Sequence, residues 1–370
     1  MRCSHGTKWR TSKEGIMKKT TGNKFLEQLK ANTTLSHTAT LSESKIFTER
    51  DMIATSIPML NVALSGRLGG GFTPGLMTLA GPSKHFKSGF ALVFLAAYFR
   101  KYPDAACLYY DSEFGTPKSY FDSFGIDKDR VVHSPITDIE QLKHDIMSQL
   151  DKIERNDHII IIVDSIGNLA SRKEVEDAME GKSVADMTRA KQLKGLFRMV
   201  TSHLVLKNIP MFIINHTYKE IGLFPKDIVG GGTGSVYSSD TVWILGRQQE
   251  KDGTEVTGYN FVINVDKSRF VKEKSKILIE VDFANGISTW SGLLAAALES
   301  GHVIKPKNGW YQRVDTATGE LLGKSMREDD MNSPDFWLPI LADKSFSSWI
   351  ESNYKLSGHD LVEAEDGEEA

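Results

Sequence analysis

At 370 residues, with 40% hydrophobic and 25% charged side chains, the chain has material for one large domain and a smaller piece. Its formal charge of −3 excludes a globally basic nucleic-acid binder, although unevenly placed acids leave room for a local basic surface. No run of 18 apolar residues argues for a membrane span, and two cysteines, Cys3 and Cys107, give neither a disulfide framework nor a zinc pattern.

The start, MRCSHGTKWRTSKEGIMKK, is polar and basic with no apolar stretch behind it, unlike a secretory signal. Met17 offers an alternative start, which would make residues 1–16 an upstream extension without structural role. Residues 1–45 read as a polar extension with one short helix around Phe25–Leu29. From Thr55 to Phe283, strand-like runs alternate with helical patterns: 75–80, 105–111, 158–164, 209–215, 240–246, 259–265 and 276–283. Runs as apolar as IIIIV suit strands buried on both faces of a parallel sheet, and the last three, joined by shorter links, suit an antiparallel extension. Ile139, Leu142, Ile146, Leu150 and Ile153 recur at helical spacing, and Thr137 with Glu140 offers a capping box in front of them. The expected fold is α/β, with a mostly parallel central sheet over 46–290. A small C-terminal subdomain of short helices and turns is expected over 291–357. The last eleven residues hold six acids, and 358–370 reads as a solvated, disordered tail, there for solubility or to compete with DNA phosphates.

GLMTLA runs into Gly81-Pro82-Ser83-Lys84-His85-Phe86-Lys87-Ser88 and then an apolar helix, GFALVFLAAYF. Strand, loop, lysine-serine and helix are the context of a phosphate-binding loop, in which backbone N–H groups form an anion site. Lys87 would reach β- and γ-phosphates, and Ser88 would bind Mg²⁺. Phe86 departs from the usual glycine before the lysine, and a positive φ there would strain it. A fortuitous Gly-containing turn is the plainer alternative.

The next strand ends in Asp111-Ser112-Glu113, at the carboxyl edge where open α/β sheets bind ligands. Glu113 there suits a group that orients attacking water, or a helix cap. HIIIIVD ends in Asp164, an acid placed to hold Mg²⁺ or simply to cap a turn.

In chain order GPSKHFKS, YYDSEFG, IIIIVDSIGNLAS, IINHT, GGGTG and INVDKSR resemble the RecA class of DNA strand-exchange recombinases, in its T-even phage branch. The likeness spans about residues 45–312, and that branch shares the Phe in the phosphate loop. The resemblance implies a filament-forming, ATP- and Mg²⁺-using ATPase that pairs single-stranded DNA with homologous duplex, with a segment of residues 1–45 docking on the neighbouring subunit. It also implies a cytoplasmic setting in a host bacterium, with a phage single-strand-binding protein and a mediator as partners.

By the same resemblance Glu113 is the general base and Tyr120 stacks on adenine. His216, after Asn215, takes the position of a glutamine that senses the γ-phosphate. The stretches 171–187 and 217–237 become DNA-binding loops. The first contains Arg172 and Lys173 and leads into a helix with Arg189, Lys191 and Lys194. The second contains Lys219, Lys226 and the run Gly230, Gly231, Gly232, Thr233, Gly234, whose backbone would approach phosphates, with Ile221 as a wedge between bases. Lys267 and Arg269 match cations that reach a neighbour's ATP. For each the plainer alternative is a core tyrosine, a structural histidine, solvated charges on loops, or an exposed strand. Two rivals share the ATPase core: a ring helicase, disfavoured by VDKSR and GGGTG, and a mediator that binds ATP without turnover.

Overall fold

Strand β4 (Ile159–Asp164) shows why the apolar runs are continuous: Ile160 and Ile162 enter one core, Ile161 and Val163 the other, and all four are fully buried. Each such side chain contributes about 1.5–3 kcal/mol of burial. The computed structural model describes residues 24–44, 52–155, 157–182, 187–222 and 225–356. Cys3, Met17 and the acidic tail 358–370 lie outside the described residues. Among those described, no helix is long and apolar enough to cross a membrane.

The strands before β4 are β1 (Gly75–Ala80), β2 (Ala106–Asp111) and β3 (Val131–Pro135); after it come β5 (Pro210–Asn215), the short β6 (Thr217–Lys219) and β7 (Asp227–Val229), β8 (Thr241–Asp252), β9 (Glu255–Ser268), β10 (Lys276–Asp282) and β11 (Gly286–Ile287). Nine of them form one sheet in the order β11-β10-β9-β8-β1-β5-β4-β2-β3. Pairing is parallel from β8 through β1 to β3 and antiparallel from β8 to β11, as the short links imply. The sequence pattern did not mark β3, a short strand at the sheet's edge with its side chains half exposed.

The helices of this half are α1 (Lys24–Asn32), α2 (Pro58–Ser65), α3 (Lys87–Lys101), α4 (Lys118–Ser123), α5 (Ile139–Lys152), α6 (Arg172–Met179), α7 (Thr188–Lys207) and α8 (Gly234–Ser238). Helix α3 is buried all round from Gly89 to Phe99, and with α2 it covers one face of the sheet. Helices α5 and α7 cover the other through Ile139, Leu142, Ile146, Leu150, Leu196, Phe197 and Val200. The cap of α5 differs from the expected Thr137–Glu140 box. Asp138 is the N-cap, accepting from Gln141 N at 2.8 Å, while the Gln141 side chain accepts from Thr137.

Neither long connection is wholly irregular. Half of 171–187 is α6, started by a capping box between Ser171 and Glu174. The other holds the β6–β7 hairpin and α8. Residues 291–356 add an unanticipated three-stranded antiparallel sheet, β12 (Val303–Lys307), β13 (Trp310–Val314) and β14 (Leu321–Arg327), among α9 (Leu293–Glu299), α10 (Pro334–Ala342) and α11 (Lys344–Tyr354). The end of α11 is tied to the β9–β10 turn, with Leu356 N donating to Phe270 O at 2.8 Å.

The chain divides into two compact units, residues 1–49 and 50–370. In the first, α1 leaves Phe25, Leu26 and Leu29 exposed, and Lys30 pairs with Glu43 at 2.9 Å. The second carries the features described below.

Candidate active site

Parallel register brings the polar strand ends together. Asp111 lies opposite Asp164 across β2–β4, and Ala80, just before the loop, lies opposite Asn215 across β1–β5. Residues 83–88, Glu113, Tyr120 and His216 line one cavity of about 370 Å³. The cavity thus gathers residues expected from four separate motifs, although Gly81, Pro82, Asp164, Lys267 and Arg269 are not among its lining groups.

Lys87, at the start of α3, is 6% exposed, and its ammonium donates to Gly81 O at 3.1 Å and Pro82 O at 2.8 Å. Burial lowers its pKa, opposed by Glu113 and Asp164. Ser88 Oγ donates to Asp164 Oδ2 at 2.7 Å, and Tyr109 OH donates to the same oxygen at 3.0 Å. Asp164 Oδ1 is buried with no hydrogen-bond partner. Burial raises the Asp164 pKa, the Ser88 and Tyr109 hydrogen bonds pull it down, and the nearby carboxylates Glu113 and Asp111 add to the rise. A desolvated carboxylate with an orphaned oxygen beside a hydroxyl suits a hard divalent cation. No group of three or more His, Cys, Asp or Glu among the described residues is placed to hold a metal. An ion here would rest on Asp164, Ser88 and the ligand's own phosphates.

Glu113 is held on a turn built by Asp111. That buried carboxylate accepts from Glu113 N at 3.0 Å and Phe114 N at 2.8 Å, and its other oxygen lies 3.1 Å from His133 Nε2. Glu113 Oε1 accepts from Ser165 Oγ at 2.6 Å and lies 3.0 Å from His216 Nε2, which donates in the tautomer protonated there. Asn215 continues the network. Its Nδ2 donates to Gly230 O at 2.8 Å and its Oδ1 accepts from His216 N at 2.9 Å. His216 is therefore joined to the glycine run both directly, through Gly230 N, and by way of Asn215.

Phe86 has φ 59° and ψ 23°, the left-handed conformation that glycine ordinarily supplies. The cost is roughly 1–2 kcal/mol. Offsetting it, the ring stacks on Phe261 with centroids 5.1 Å apart and meets Phe90 edge-on at 5.4 Å. Such aromatic pairs contribute about 0.5–1.5 kcal/mol each beyond area burial.

The DNA-loop candidates have different surroundings. Arg172 pairs with Asp138 at 3.4 Å and Lys173 with Asp177 at 2.7 Å, both on or beside α6. Lys219 pairs with Asp227 across the hairpin at 2.8 Å. Lys191 and Lys194 project from α7, and Lys226 from the second loop, exposed and without an ion pair among the described residues. Ile221 is fully exposed. Gly231 and Gly232 have φ near 80°, and a Cβ on Gly234 would lie 2.9 Å from Lys194 Cα, so backbone shape and packing on α7 require these glycines. Gly230 N donates to His216 O at 2.9 Å.

Three of the expected contact residues have other partners within the single chain. Arg189, read as a DNA contact, donates to the carbonyls of Ile166, Gly167 and Leu169 at 2.7–3.0 Å, clamping the segment after β4. Lys267 donates to Val236 O and Tyr237 O, and Arg269 pairs with Asp240, so both hold the end of α8 in their own chain. Arg189→Ala should therefore lower the unfolding free energy by about 2–3 kcal/mol, whereas exposed Lys191→Ala should leave it within about 0.5 kcal/mol in urea denaturation. Equal stabilities would return Arg189 to the role of a contact.

Residue-by-residue reading missed Tyr109, Ser165, His133 and Arg247. Tyr109 faces one core inside an apolar run, where a tyrosine reads as packing. Arg247 lies beyond the expected end of β8, at the same carboxyl edge, with Nη1 donating to Lys84 O at 3.1 Å and its guanidinium 4.4 Å from the Tyr259 ring. Its place at that edge was the available signal.

The family model for the RecA N-terminal domain matches residues 26–288, and that for the C-terminal domain of the bacteriophage T4 recombination and repair protein matches residues 290–350. The recombination and repair protein of Enterobacteria phage T4 is 52% identical over 335 residues, covering 89% of this chain and 86% of that one. Protein RecA of Bacteroides thetaiotaomicron is 28% identical over 269 residues, covering 71% of this chain and 79% of its own. The solved RadB recombinase matches with a TM-score of 0.47 and 21% identity, over 64% of this chain and 98% of that one. With the phosphate loop, the two strand-end acids and the glycine run on one edge, and with the family model over residues 26–288 and the phage relative at 52% identity, the protein belongs to the RecA family of recombinases.

Proposed function

We propose that this protein is an ATP- and Mg²⁺-dependent DNA recombinase that assembles on single-stranded DNA, pairs it with homologous duplex and exchanges strands in phage recombination, repair and recombination-dependent replication. The observation that carries the nucleotide site is the buried, unpartnered Asp164 Oδ1 next to Ser88, beside the desolvated Lys87 ammonium. Together they suit a divalent cation and a polyphosphate.

Backbone N–H groups of 83–88 and the start of α3 bind phosphate oxygens, and Lys87 adds its charge. Asp164 and Ser88 would hold Mg²⁺, which would neutralise charge on the phosphates. Glu113 orients a water and takes its proton, with Ser165 fixing the carboxylate. His216, within reach of Glu113, reports the state of the γ-phosphate, and Asn215 passes it to Gly230 and the second DNA loop. Lys191, Lys194 and Lys226 are the free cations favoured for DNA phosphates, and Ile221 is the wedge. Lys173, Arg172 and Lys219 would first leave their carboxylates.

Subunits associate head to tail in an open helical filament. There Lys267 and Arg269 would exchange their partners, on α8 and at Asp240, for the neighbouring subunit's nucleotide, making turnover depend on assembly. A phage single-strand-binding protein and a mediator are the proposed accessory partners, in the cytoplasm of the host. Base pairing supplies the homology test, so backbone contacts suffice for the protein.

The test is joint-molecule formation between a labelled single strand and supercoiled duplex, with ATP and Mg²⁺. Product with homologous duplex and none with heterologous duplex is expected. Unwinding without homology would replace this reading with a helicase, and absence of ATP hydrolysis in the presence of DNA would replace it with a mediator.

A further inference from the structure

The aromatic residue that replaces glycine in the phosphate loop does more than fill space beneath it. Phe86 contributes its backbone to the anion cradle, while its ring reaches away to Phe261 on β9 and to Phe124, 6.4 Å off at the end of α4. Phe124 in turn receives Tyr120 edge-on, with centroids 5.2 Å apart and planes at 88°. Phe86 and Tyr120 line the same cavity, one at the phosphate end and one on the helix that flanks it. The α3 side is matched to the ring: a Cβ on Gly89 would lie 2.5 Å from Phe86 Cζ and within 2.7 Å of both Cε atoms. Gly89 therefore forms the notch that receives the phenyl group, and the pair works only together.

We propose that Phe86, seated on Gly89 and joined through Phe124 to Tyr120, is a positioning residue that sets the spacing between the phosphate cradle and the base platform, and so sets preference for a triphosphate carrying its base. The inference rests on the nucleotide reading of the cavity and adds a determinant of base selectivity to it. Rings in edge and stacked contact resist sliding more than aliphatic side chains do, because their relative orientation carries part of the interaction. A glycine at 86 would relieve the left-handed strain and leave the cradle free to shift relative to Tyr120. Phe124 is the informative joint, since it links the two ends and does not line the cavity.

The experiment measures equilibrium binding of ATP, GTP and inorganic tripolyphosphate, each with Mg²⁺, to the full chain by calorimetry. Wild type, Phe86→Leu, Phe124→Leu and Gly89→Ala are compared, with thermal unfolding as the folding control. In Phe124→Leu, ATP affinity should fall about three- to tenfold, the scale of one aromatic pair, and tripolyphosphate affinity should stay within about twofold. The preference for ATP over GTP should shrink in parallel. Gly89→Ala should weaken both ATP and tripolyphosphate, because the displaced ring distorts the cradle. The double variant Phe86→Gly with Gly89→Ala should recover tripolyphosphate binding but not the preference for ATP over GTP. An equal loss of ATP and tripolyphosphate in a folded Phe124→Leu protein, or an unchanged ATP-to-GTP ratio in both leucine variants, overturns the positioning role. Wild-type protein that binds neither ATP nor tripolyphosphate would overturn the nucleotide site itself, a result distinguishable from either.

Discussion

Glu113→Gln should lower DNA-stimulated ATP turnover by about 10²-fold or more, while ATP-dependent complexes with single-stranded DNA persist. The substitution keeps the shape of the side chain and one carbonyl oxygen. That oxygen can still accept from Ser165 Oγ and from the His216 ring, the two partners now on Oε1. The Asp111 turn below also remains, since it uses the backbone N–H groups of Glu113 and Phe114. Only the capacity to take a proton is lost, so binding and chemistry should separate. Ser165→Ala provides the contrast: it frees the carboxylate to swing without removing its basicity, and its effect should be smaller. Phosphate release and fluorescence anisotropy on labelled single-stranded DNA measure the two quantities. Turnover within about threefold of wild type in Glu113→Gln would assign the base to another group.

The parts of this architecture that could be read from the chain are those in which one physical demand dominates several consecutive residues. IIIIV is buried on both faces of a parallel sheet, which leaves no room for a polar alternation, and its ending in Asp164 marks the carboxyl edge. The helix at 139–152 is legible because Ile139, Leu142, Ile146 and Leu150 share one buried face. Its first residue was displaced because Thr137 and Asp138 are both capping residues, and only the path of the chain decides between them. β3 was missed because pairing with β2 on one side alone asks little of its side chains. The β12–β14 sheet was missed because its strands face solvent along much of their length and carry no alternation.

For the site, residue identities at strand ends were legible and their partners were not. Phe86 stood out as a departure from glycine, and its left-handed conformation followed from that; that Gly89 and Phe124 accommodate its ring requires three segments to be placed together. Arg189 shows how much the intrachain partners of a cation escape the sequence. A cation beside a candidate DNA loop invites a phosphate contact, yet three carbonyls left unpaired where the chain leaves β4 present a nearer set of acceptors. Lys267 follows the same logic at the end of α8, where helix carbonyls favour cations, and Arg269 pairs with the Asp240 carboxylate just beyond it. Such contacts describe the subunit alone, and exchange of these partners is what the proposed filament would have to bring about.

Lys87→Ala should abolish nucleotide-dependent DNA binding, with ATP affinity falling by on the order of a hundredfold or more, the scale of about 3 kcal/mol for removing one partner of a buried charge pair. Lys87 is 6% exposed and its ammonium donates to the carbonyls of Gly81 and Pro82; no ion pair to it occurs among the described residues. Burial depresses its pKa against the opposing pull of Glu113 and Asp164, a state that a triphosphate would relieve by supplying negative charge in direct contact. It follows that the lysine is stabilising only with ligand bound. Without nucleotide, Lys87→Ala should unfold at the same temperature as wild type or slightly higher, since a desolvated cation has been removed. With ATP and Mg²⁺, wild type should gain thermal stability and the variant should not, as binding to the folded state alone requires. A variant that is less stable without nucleotide would make Lys87 a structural strut for the loop. A variant whose ATP-dependent DNA binding is normal would remove the phosphate loop from the mechanism altogether, because no other buried cation lines this cavity.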